Sequence, residues 1–263
     1  MSTHPTPFPE VNRVLARLRE GAEAILGPKF LGLYLYGSLA SGGFQPQRSD
    51  VDFVVVVREE LTPAEVEALT AMHRELAASG LKWAAKLEGS YLPLADLRRY
   101  DPQGGPYLCV NEGRFYQAGH GWDWVIQRHT LRTHDVAVAG LSIRPWIDPV
   151  SPAELRRAIR DLLAEWWAPM LQDPAFLARR EYQAFAVLSM CRALHTLATG
   201  QVVSKEEAGA WALATLDPAW TGLIQRALAW PQEPQPNELD ATLAFIRYTL
   251  AQSQQTEPPA QST

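Results

Sequence analysis

The residues best suited to chemistry lie in one polar segment between two apolar runs. Asp50 and Asp52 stand two positions apart where a β-branched run begins, so in a strand their side chains leave the same face. Two neighbouring carboxylates repel each other unless a cation lies between them. Carboxylate oxygens are ligands that Mg²⁺ accepts, and its shell is usually completed by water and phosphate oxygens. The pattern therefore predicts a Mg²⁺ site at the start of this strand.

Two further features fit a phosphate-bearing substrate. Gly37 and Ser38 directly follow the preceding apolar run, where glycine lets the backbone approach a phosphate and the serine hydroxyl can hold its oxygens. Glu88 ends the stretch 82–88, which we predict to be a strand. If that strand lies beside the strand of the aspartates, Glu88 can complete the metal site or take a proton from an attacking hydroxyl.

The elements that must position these residues follow from periodicity and caps. Helical spacing predicts a helix over 9–26, and apolar, β-branched runs predict strands over 30–36 and 51–57. Thr62-Pro63-Ala64-Glu65 has capping-box spacing and predicts a helix to about Ala78, ended by Ser79-Gly80. Residues 100–125 are rich in turn formers, and 133–139 predicts a strand or the start of a helix.

The character of the chain changes near residue 150. Ser151-Pro152-Ala153-Glu154 is a second capping box, and helices are predicted over 179–199, 204–216, 219–230 and 238–252. We therefore predict an α+β fold with a mixed-sheet domain over 1–150 and an all-helical domain over 151–252. The polar, proline-containing tail 253–263 is predicted to be disordered.

Composition limits the classes of protein to consider. The 263 residues are 47% hydrophobic and 20% charged, with a formal net charge of -5, which is typical of soluble globular proteins and argues against nucleic acid as a partner. Two cysteines fit no disulfide framework. With no signal peptide and no apolar run of about 20 residues, we expect a cytoplasmic protein without a membrane partner, and a monomer.

At this point the sequence resembles a known family. Gly37-Ser38, an eleven-residue gap and Asp50-x-Asp52 between apolar residues match the signature of the DNA polymerase β-like nucleotidyltransferase superfamily. The similarity extends from about residue 10 to 250, to aminoglycoside adenylyltransferases of the streptomycin/spectinomycin 3''/9 type. Its strongest blocks are LYLYGSLASGGFQPQRSDVDFVVVV and ALHTLATGQVVSKEEAGAWAL.

The resemblance implies a Mg²⁺-dependent enzyme that transfers AMP from ATP to a hydroxyl of a small acceptor. The implied metal ligands are Asp50, Asp52 and Glu88, with Glu88 also the catalytic base. The resemblance further implies nucleotide contacts from both domains, namely Gly37, Ser38, Ser49, Asp135, Arg192 and Lys205. Lys205 also makes sense independently, because Ser204-Lys205-Glu206-Glu207 has capping-box spacing and a helix start favours an anion. Trp230 lies where the family has a tyrosine beside the nucleotide.

The second substrate is less well specified. In the streptomycin enzymes acidic and polar side chains precede the arginine, whereas the matching offsets here hold Ala178, Tyr182 and Phe185, with Glu181 one place away. A polycationic drug needs close carboxylates to offset its desolvation. An aminoglycoside-type antibiotic is the implied acceptor. The alternatives are another hydroxyl acceptor (a metabolite, protein or RNA) and a non-catalytic nucleotide sensor.

Overall fold

The computed structural model describes residues 4–231 and 236–255. The chain divides into two compact units, 1–149 and 150–263. None of the described helices is both long enough and apolar enough to cross a membrane. The predicted fold class, α+β with a mixed sheet followed by a helical region, is confirmed.

The first unit is built on a six-stranded mixed sheet. Its strands are β1 (Phe30–Leu35), β2 (Val51–Val57), β3 (Leu87–Pro93), β4 (Tyr107–Asn111), β5 (Arg114–Ala118) and β6 (Val136–Gly140). Its helices are α1 (Pro9–Leu26), α2 (Gly37–Ser41), α3 (Pro63–Ala78), α4 (Leu94–Leu97) and α5 (Asp123–His134). The strand order is β5-β4-β3-β2-β1-β6, and only β2 and β3 pair in parallel.

Each face of this sheet carries its own apolar core. On one face α1 and α3 pack over residues such as Leu33, Phe53 and Tyr91. On the other face Trp124 and Leu131 of α5 pack over a second set, which includes Tyr36 and Tyr107. Alternation along the strands produces this division, because successive side chains leave opposite faces. We call the face covered by α5 the site face, since Asp52 and Glu88 belong to it.

Local sequence signals account for most of these elements. The capping box at Thr62 is formed, with Glu65 accepting from the Thr62 backbone, and α3 ends where predicted. The predicted strand 82–88 was wrong in its bounds, because 84–86 form a 3₁₀ turn and β3 begins only at Leu87. Gly89 is required within β3, because a Cβ there would collide with the Phe53 carbonyl oxygen of the neighbouring strand.

The second unit is helical. It contains α6 (Pro152–Leu162), α7 (Arg180–Thr199), α8 (Lys205–Thr215), α9 (Thr221–Ala229) and α10 (Leu239–Gln255). Capping boxes begin α6 at Ser151 and α8 at Ser204. α7 packs against α8, α9 and α10 and is the central helix of the unit. Because α10 continues to Gln255, the prediction of a disordered tail was wrong for 253–255; the rest of that tail, 256–263, lies outside the described residues.

Candidate active site

Asp52 and Glu88 lie side by side at one end of the sheet. Parallel pairing of β2 with β3 sets Asp52 directly opposite Glu88, so both side chains leave the site face in adjacent strands. The same row continues through Asn111 of β4 to Arg114 of β5. The strand that carries Glu88 therefore lies beside the strand of the aspartates, the arrangement that the sequence allowed but did not fix.

Gly37 brings the backbone against this row. It follows β1 with a φ of 60°, a conformation that glycine adopts without strain. A Cβ at this position would collide with the Asp52 carboxylate. The backbone N–H of Tyr36 donates to the Asp52 carbonyl at 3.2 Å, which holds the end of β1 against the start of β2. Glycine is required here by both its backbone angle and the close approach.

Asp50 lies just before β2 and turns towards a lysine. Its Oδ1 atom is 3.2 Å from Lys86 Nζ, and Lys86 Nζ is also 3.3 Å from Glu112 Oε1. Partial burial would lower the pKa of Lys86, but the two carboxylates outweigh it and raise that pKa. Oδ1 of Asp50 is buried, and its contact with Lys86 lacks hydrogen-bonding geometry. Lys86 therefore forms an ion pair with Asp50 but does not provide a hydrogen bond to Oδ1.

The donor set suits a hard cation. Asp50, Asp52 and Glu88 offer carboxylate oxygens at one strand edge, and the buried Asp50 Oδ1 takes no hydrogen bond. In the part of the chain that the structure describes, no three His, Cys, Asp or Glu side chains already converge around one point as metal ligands. The residues fit Mg²⁺ by type and position, and Asp50 would have to exchange Lys86 for the ion.

Ser38 and Ser49 border the same sheet end. Ser38 lies in the first turn of α2, directly after Gly37, and is partly exposed. The Ser49 hydroxyl accepts from the backbone N–H of Gln45 at 2.9 Å, and the Ser49 N–H donates to the Gln45 carbonyl at 2.8 Å. These bonds close the turn that leads into Asp50, so Ser49 shapes the approach to β2.

An acidic residue that the sequence reasoning missed also faces this region. Asp123 begins α5, and burial raises the pKa of its carboxyl even though backbone N–H groups and Arg128 oppose that shift. The pKa of Tyr36 is raised first by burial and then by the charges of Asp52, Glu88 and Asp123. Tyr116, on the edge strand β5 and 45% exposed, has its pKa raised by burial and by neighbours that include Glu88 and Asp123. The charges of Asp52, Glu88 and Asp123 therefore all act on the same tyrosine, Tyr36.

The predicted cations of the second unit lie on neighbouring helices. Arg192 is a partly exposed residue in the middle of α7, and Lys205 is the first residue of α8. The Ser204 hydroxyl accepts from the Glu207 N–H at 3.1 Å, which forms the predicted capping box. Lys205 Nζ lies 4.6 Å from the centre of the Phe185 ring of α7.

The start of α7 presents aromatic rings where the resemblance led us to look for acidic side chains. Phe185 is 38% exposed, and the Tyr182 ring is 4.3 Å from that of Phe176. Arg179 lies 5.3 Å over the Tyr182 ring and forms an ion pair with Glu181. The carboxylate of Glu181 is thus already balanced by a cation of the same surface.

Comparison with known proteins decides the family. A nucleotidyltransferase domain model matches residues 16–92, and a model of the aminoglycoside adenylyltransferase C-terminal domain matches 146–252. An Escherichia coli aminoglycoside (3'') (9) adenylyltransferase is 26% identical over 91% of this chain and 93% of its own length. The chain belongs to the aminoglycoside adenylyltransferase family of nucleotidyltransferases.

Other relatives agree with this assignment. A spectinomycin 9-adenylyltransferase of Campylobacter jejuni is 25% identical over 84% of both chains. The crystal structure of the spectinomycin adenyltransferase of Enterococcus faecalis, solved with ATP and spectinomycin, shares the fold with a TM-score of 0.74, covering 91% of this chain and 98% of the other at 19% identity. The chain is thus a nucleotidyltransferase, and the enzyme class inferred from its sequence is confirmed.

For an adenylyltransferase, Asp135 occupies an unexpected environment. It ends α5 with a φ of 53°. Its Oδ2 accepts from the Ser142 hydroxyl at 2.5 Å and its Oδ1 from the Ile143 N–H at 2.8 Å. Both carboxylate oxygens therefore hold the loop after β6, so the nucleotide contact implied for Asp135 remains a prediction.

Proposed function

We propose that the protein transfers AMP from ATP to a hydroxyl group of an aminoglycoside-type antibiotic, with Mg²⁺, and releases pyrophosphate. The observation that carries this proposal is the pairing of Asp52 with Glu88 across two strands beside Gly37. Family membership supports AMP as the group transferred. Relatives named as aminoglycoside and spectinomycin adenylyltransferases support the class of acceptor.

In this proposal Glu88 takes the proton of the acceptor hydroxyl. The hydroxyl oxygen then forms a bond to the α-phosphorus of ATP, and the bond from that phosphorus to the bridging oxygen breaks in line. Pyrophosphate leaves with the electron pair of the broken bond, and AMP stays on the acceptor. Asp50 and Asp52 would hold Mg²⁺, which when bound offsets the negative charge of the phosphates.

The remaining residues would bind and orient ATP. Gly37 gives a close backbone approach to Asp52, Ser38 would offer its hydroxyl to a phosphate, and Ser49 fixes the turn before Asp50. Arg192 and Lys205 would bind phosphate oxygens as charge-assisted donors. Lys205 suits this role because it begins a capped helix, whose first N–H groups favour an anion. The role proposed for Asp135 has less support, because Ser142 and Ile143 already bond to its carboxylate.

A second class of acceptor is favoured by one observation. The surface that begins α7 presents Tyr182 and a 38%-exposed Phe185, flanked by Arg179 and Lys205. A polycation gains little from such a surface, whereas a less charged hydroxyl compound can stack on its rings. Adenylyl transfer to a different small hydroxyl compound is therefore the alternative within the same chemistry.

The test is pyrophosphate release from ATP and Mg²⁺ across a panel of acceptors that includes streptomycin, spectinomycin and neutral aromatic glycosides. We expect release that requires one acceptor and that falls about 10²–10⁴-fold in Glu88→Gln, since general-base catalysis contributes that much. Glu112→Gln, which alters the other carboxylate paired with Lys86, is the matched control and should keep most of the activity. Release that is equal in Glu88→Gln and wild type would contradict the assignment of the base.

A further inference from the structure

Strand β3 carries two buried histidine contacts, one on each face of the sheet. On the site face, Ser90 Oγ is 3.1 Å from His120 Nε2, and both residues are buried. On the opposite face, Tyr91 Oη is 2.9 Å from His73 Nε2, again between buried residues. The two pairs use adjacent residues of one strand and the same type of hydrogen bond, but one connects β3 to the loop before α5 and the other connects it to α3.

The site-face pair lies one row behind the carboxylates. Ser90 follows Glu88 by two positions and therefore leaves the same face of β3. His120 precedes Asp123, the first residue of α5, by three positions. The hydrogen bond thus connects the strand that carries the proposed base with the loop that leads into α5 and Asp123.

The His120 ring is held from several sides. It stacks on Trp124 with ring centres 3.6 Å apart and planes 2° apart, and it packs on Tyr107 at 4.4 Å. The Tyr100 hydroxyl donates to the His120 carbonyl at 3.1 Å. Trp124 in turn packs on Tyr36, 5.6 Å between ring centres. These contacts fix the position of the His120 ring against β3.

The protonation of His120 follows from its surroundings. Burial, with a smaller effect of Arg128, lowers the pKa of His120 to about 3, so the imidazole is neutral at pH 7. Nδ1 is buried and has no hydrogen-bond partner. A neutral ring carries one N–H, and a buried N–H without an acceptor is costly. We therefore assign the proton to Nε2, which donates to the Ser90 hydroxyl.

We propose that Ser90 and His120 are positioning residues for the active site, which fix the separation of Glu88 from Asp123 by joining β3 to the start of α5. Neither residue touches substrate in this account; Ser90 acts through Glu88, two positions away, and His120 acts through Asp123, three positions away. The proposal rests on the proposed function for its kinetic consequence. The His73–Tyr91 pair is its natural control, because that pair joins the same strand to α3 on the face without carboxylates.

The experiment compares Ser90→Ala with Tyr91→Phe, each of which removes one hydroxyl from a buried histidine pair. We expect Ser90→Ala to lower kcat for AMP transfer about tenfold, because small displacements of reacting groups are that costly, with the KM for ATP within about twofold of wild type. Tyr91→Phe should keep kcat within about twofold. His120→Phe, which retains a ring to stack on Trp124, should match Ser90→Ala, and the double variant should be no slower than either.

A second readout separates this proposal from the proposed function. Amide hydrogen exchange of 121–126 should be faster in Ser90→Ala than in wild type and unchanged in Tyr91→Phe, whether or not AMP transfer is detected. Faster exchange in a protein without transferase activity would refute the function and retain the positioning role. Unchanged exchange in Ser90→Ala, or equal losses of kcat in Ser90→Ala and Tyr91→Phe, would overturn the positioning proposal.

Discussion

The two halves of the proposed machinery are built by different means. In the first unit, strand register alone aligns Asp52 with Glu88, and Gly37 is fitted against them by its backbone. In the second unit, Arg192 and Lys205 belong to two packed helices, and Lys205 contacts the aromatic ring of Phe185. The first arrangement is acidic and set by strand register, whereas the second consists of long cationic side chains on helices, one of them against an aromatic ring.

Because the two regions are built differently, we expect them to respond differently to substitution. A site whose residues are fixed by strand register has little conformational freedom. A single added methyl group at Gly37 should therefore lower kcat itself. Arg192 and Lys205 are proposed to bind ATP and not to take part in bond making, so their loss should weaken binding of ATP rather than abolish the reaction. Two predictions test this contrast and a third tests a buried histidine of the first unit; they follow in order of the expected effect.

Of these three changes, Gly37→Ala should cause the largest loss of activity. The backbone at this position is left-handed, a conformation that costs an alanine about 1–2 kcal/mol. The new Cβ would also collide with the Asp52 carboxylate. We expect kcat to fall about 100-fold, as for displaced reacting groups. Gly42→Ala is the control, since Gly42 has a φ of 81° and open space around it; its stability should fall by a similar strain energy while kcat is retained. Similar kcat values for the two variants would remove the contrast.

Lys205→Met should raise the KM for ATP about tenfold, the equivalent of one charge-assisted hydrogen bond, and change kcat much less. Ser204→Ala is the matched variant, because it removes the cap of the same helix and keeps the charge. It should lower the free energy of unfolding by about 1 kcal/mol with little change in KM. If Ser204→Ala raises the KM as much as Lys205→Met, the helix start and not the ammonium group is responsible.

The smallest effect concerns the pH dependence of stability. Burial lowers the pKa of His73 to about 3, from 6.5 in the unfolded chain. The unfolded state then binds more protons between those values, so the free energy of unfolding should fall as the pH falls below about 6.5, by at most about 1.4 kcal/mol per pH unit for this group. Urea unfolding of wild type and His73→Gln at pH 7 and pH 5 measures the slope, which should be smaller in the variant. Equal slopes would mean that His73 does not contribute.

The sequence predicted the first region well because its signals are local. Asp50-x-Asp52 at the start of a β-branched run, a glycine after the preceding strand and the capping box at Thr62 are each read within a few residues. The pairing of Glu88 with Asp52 was predicted only as one arrangement, because strand order is a long-range property. The predicted bounds of β3 were wrong, because residues 84–86 form a 3₁₀ turn and the strand continues to Pro93.

The position of Asp123 could not be predicted from local sequence signals. It lies in a stretch rich in turn formers and aromatic residues, and α5 was not predicted there. An aspartate in a first helical turn followed by Val125, Ile126 and Leu131 was the available signal, but its closeness to Glu88 arises from the packing of α5 on the sheet. In the second unit, by contrast, helix periodicity predicted every α-helix from α7 to α10 within three residues at each end.

The central claim is that Asp52 and Glu88 form the reaction centre of a nucleotidyltransferase. The most direct measurement is acceptor-dependent pyrophosphate release by Asp52→Asn, beside Asp148→Asn, which alters an aspartate paired with Arg98 and Arg99 in the same unit. We expect no detectable release from Asp52→Asn, with a melting temperature at or above that of wild type because a repulsive carboxylate is removed, and normal release from Asp148→Asn. An Asp52→Asn protein that folds and transfers AMP at the wild-type rate would contradict the account.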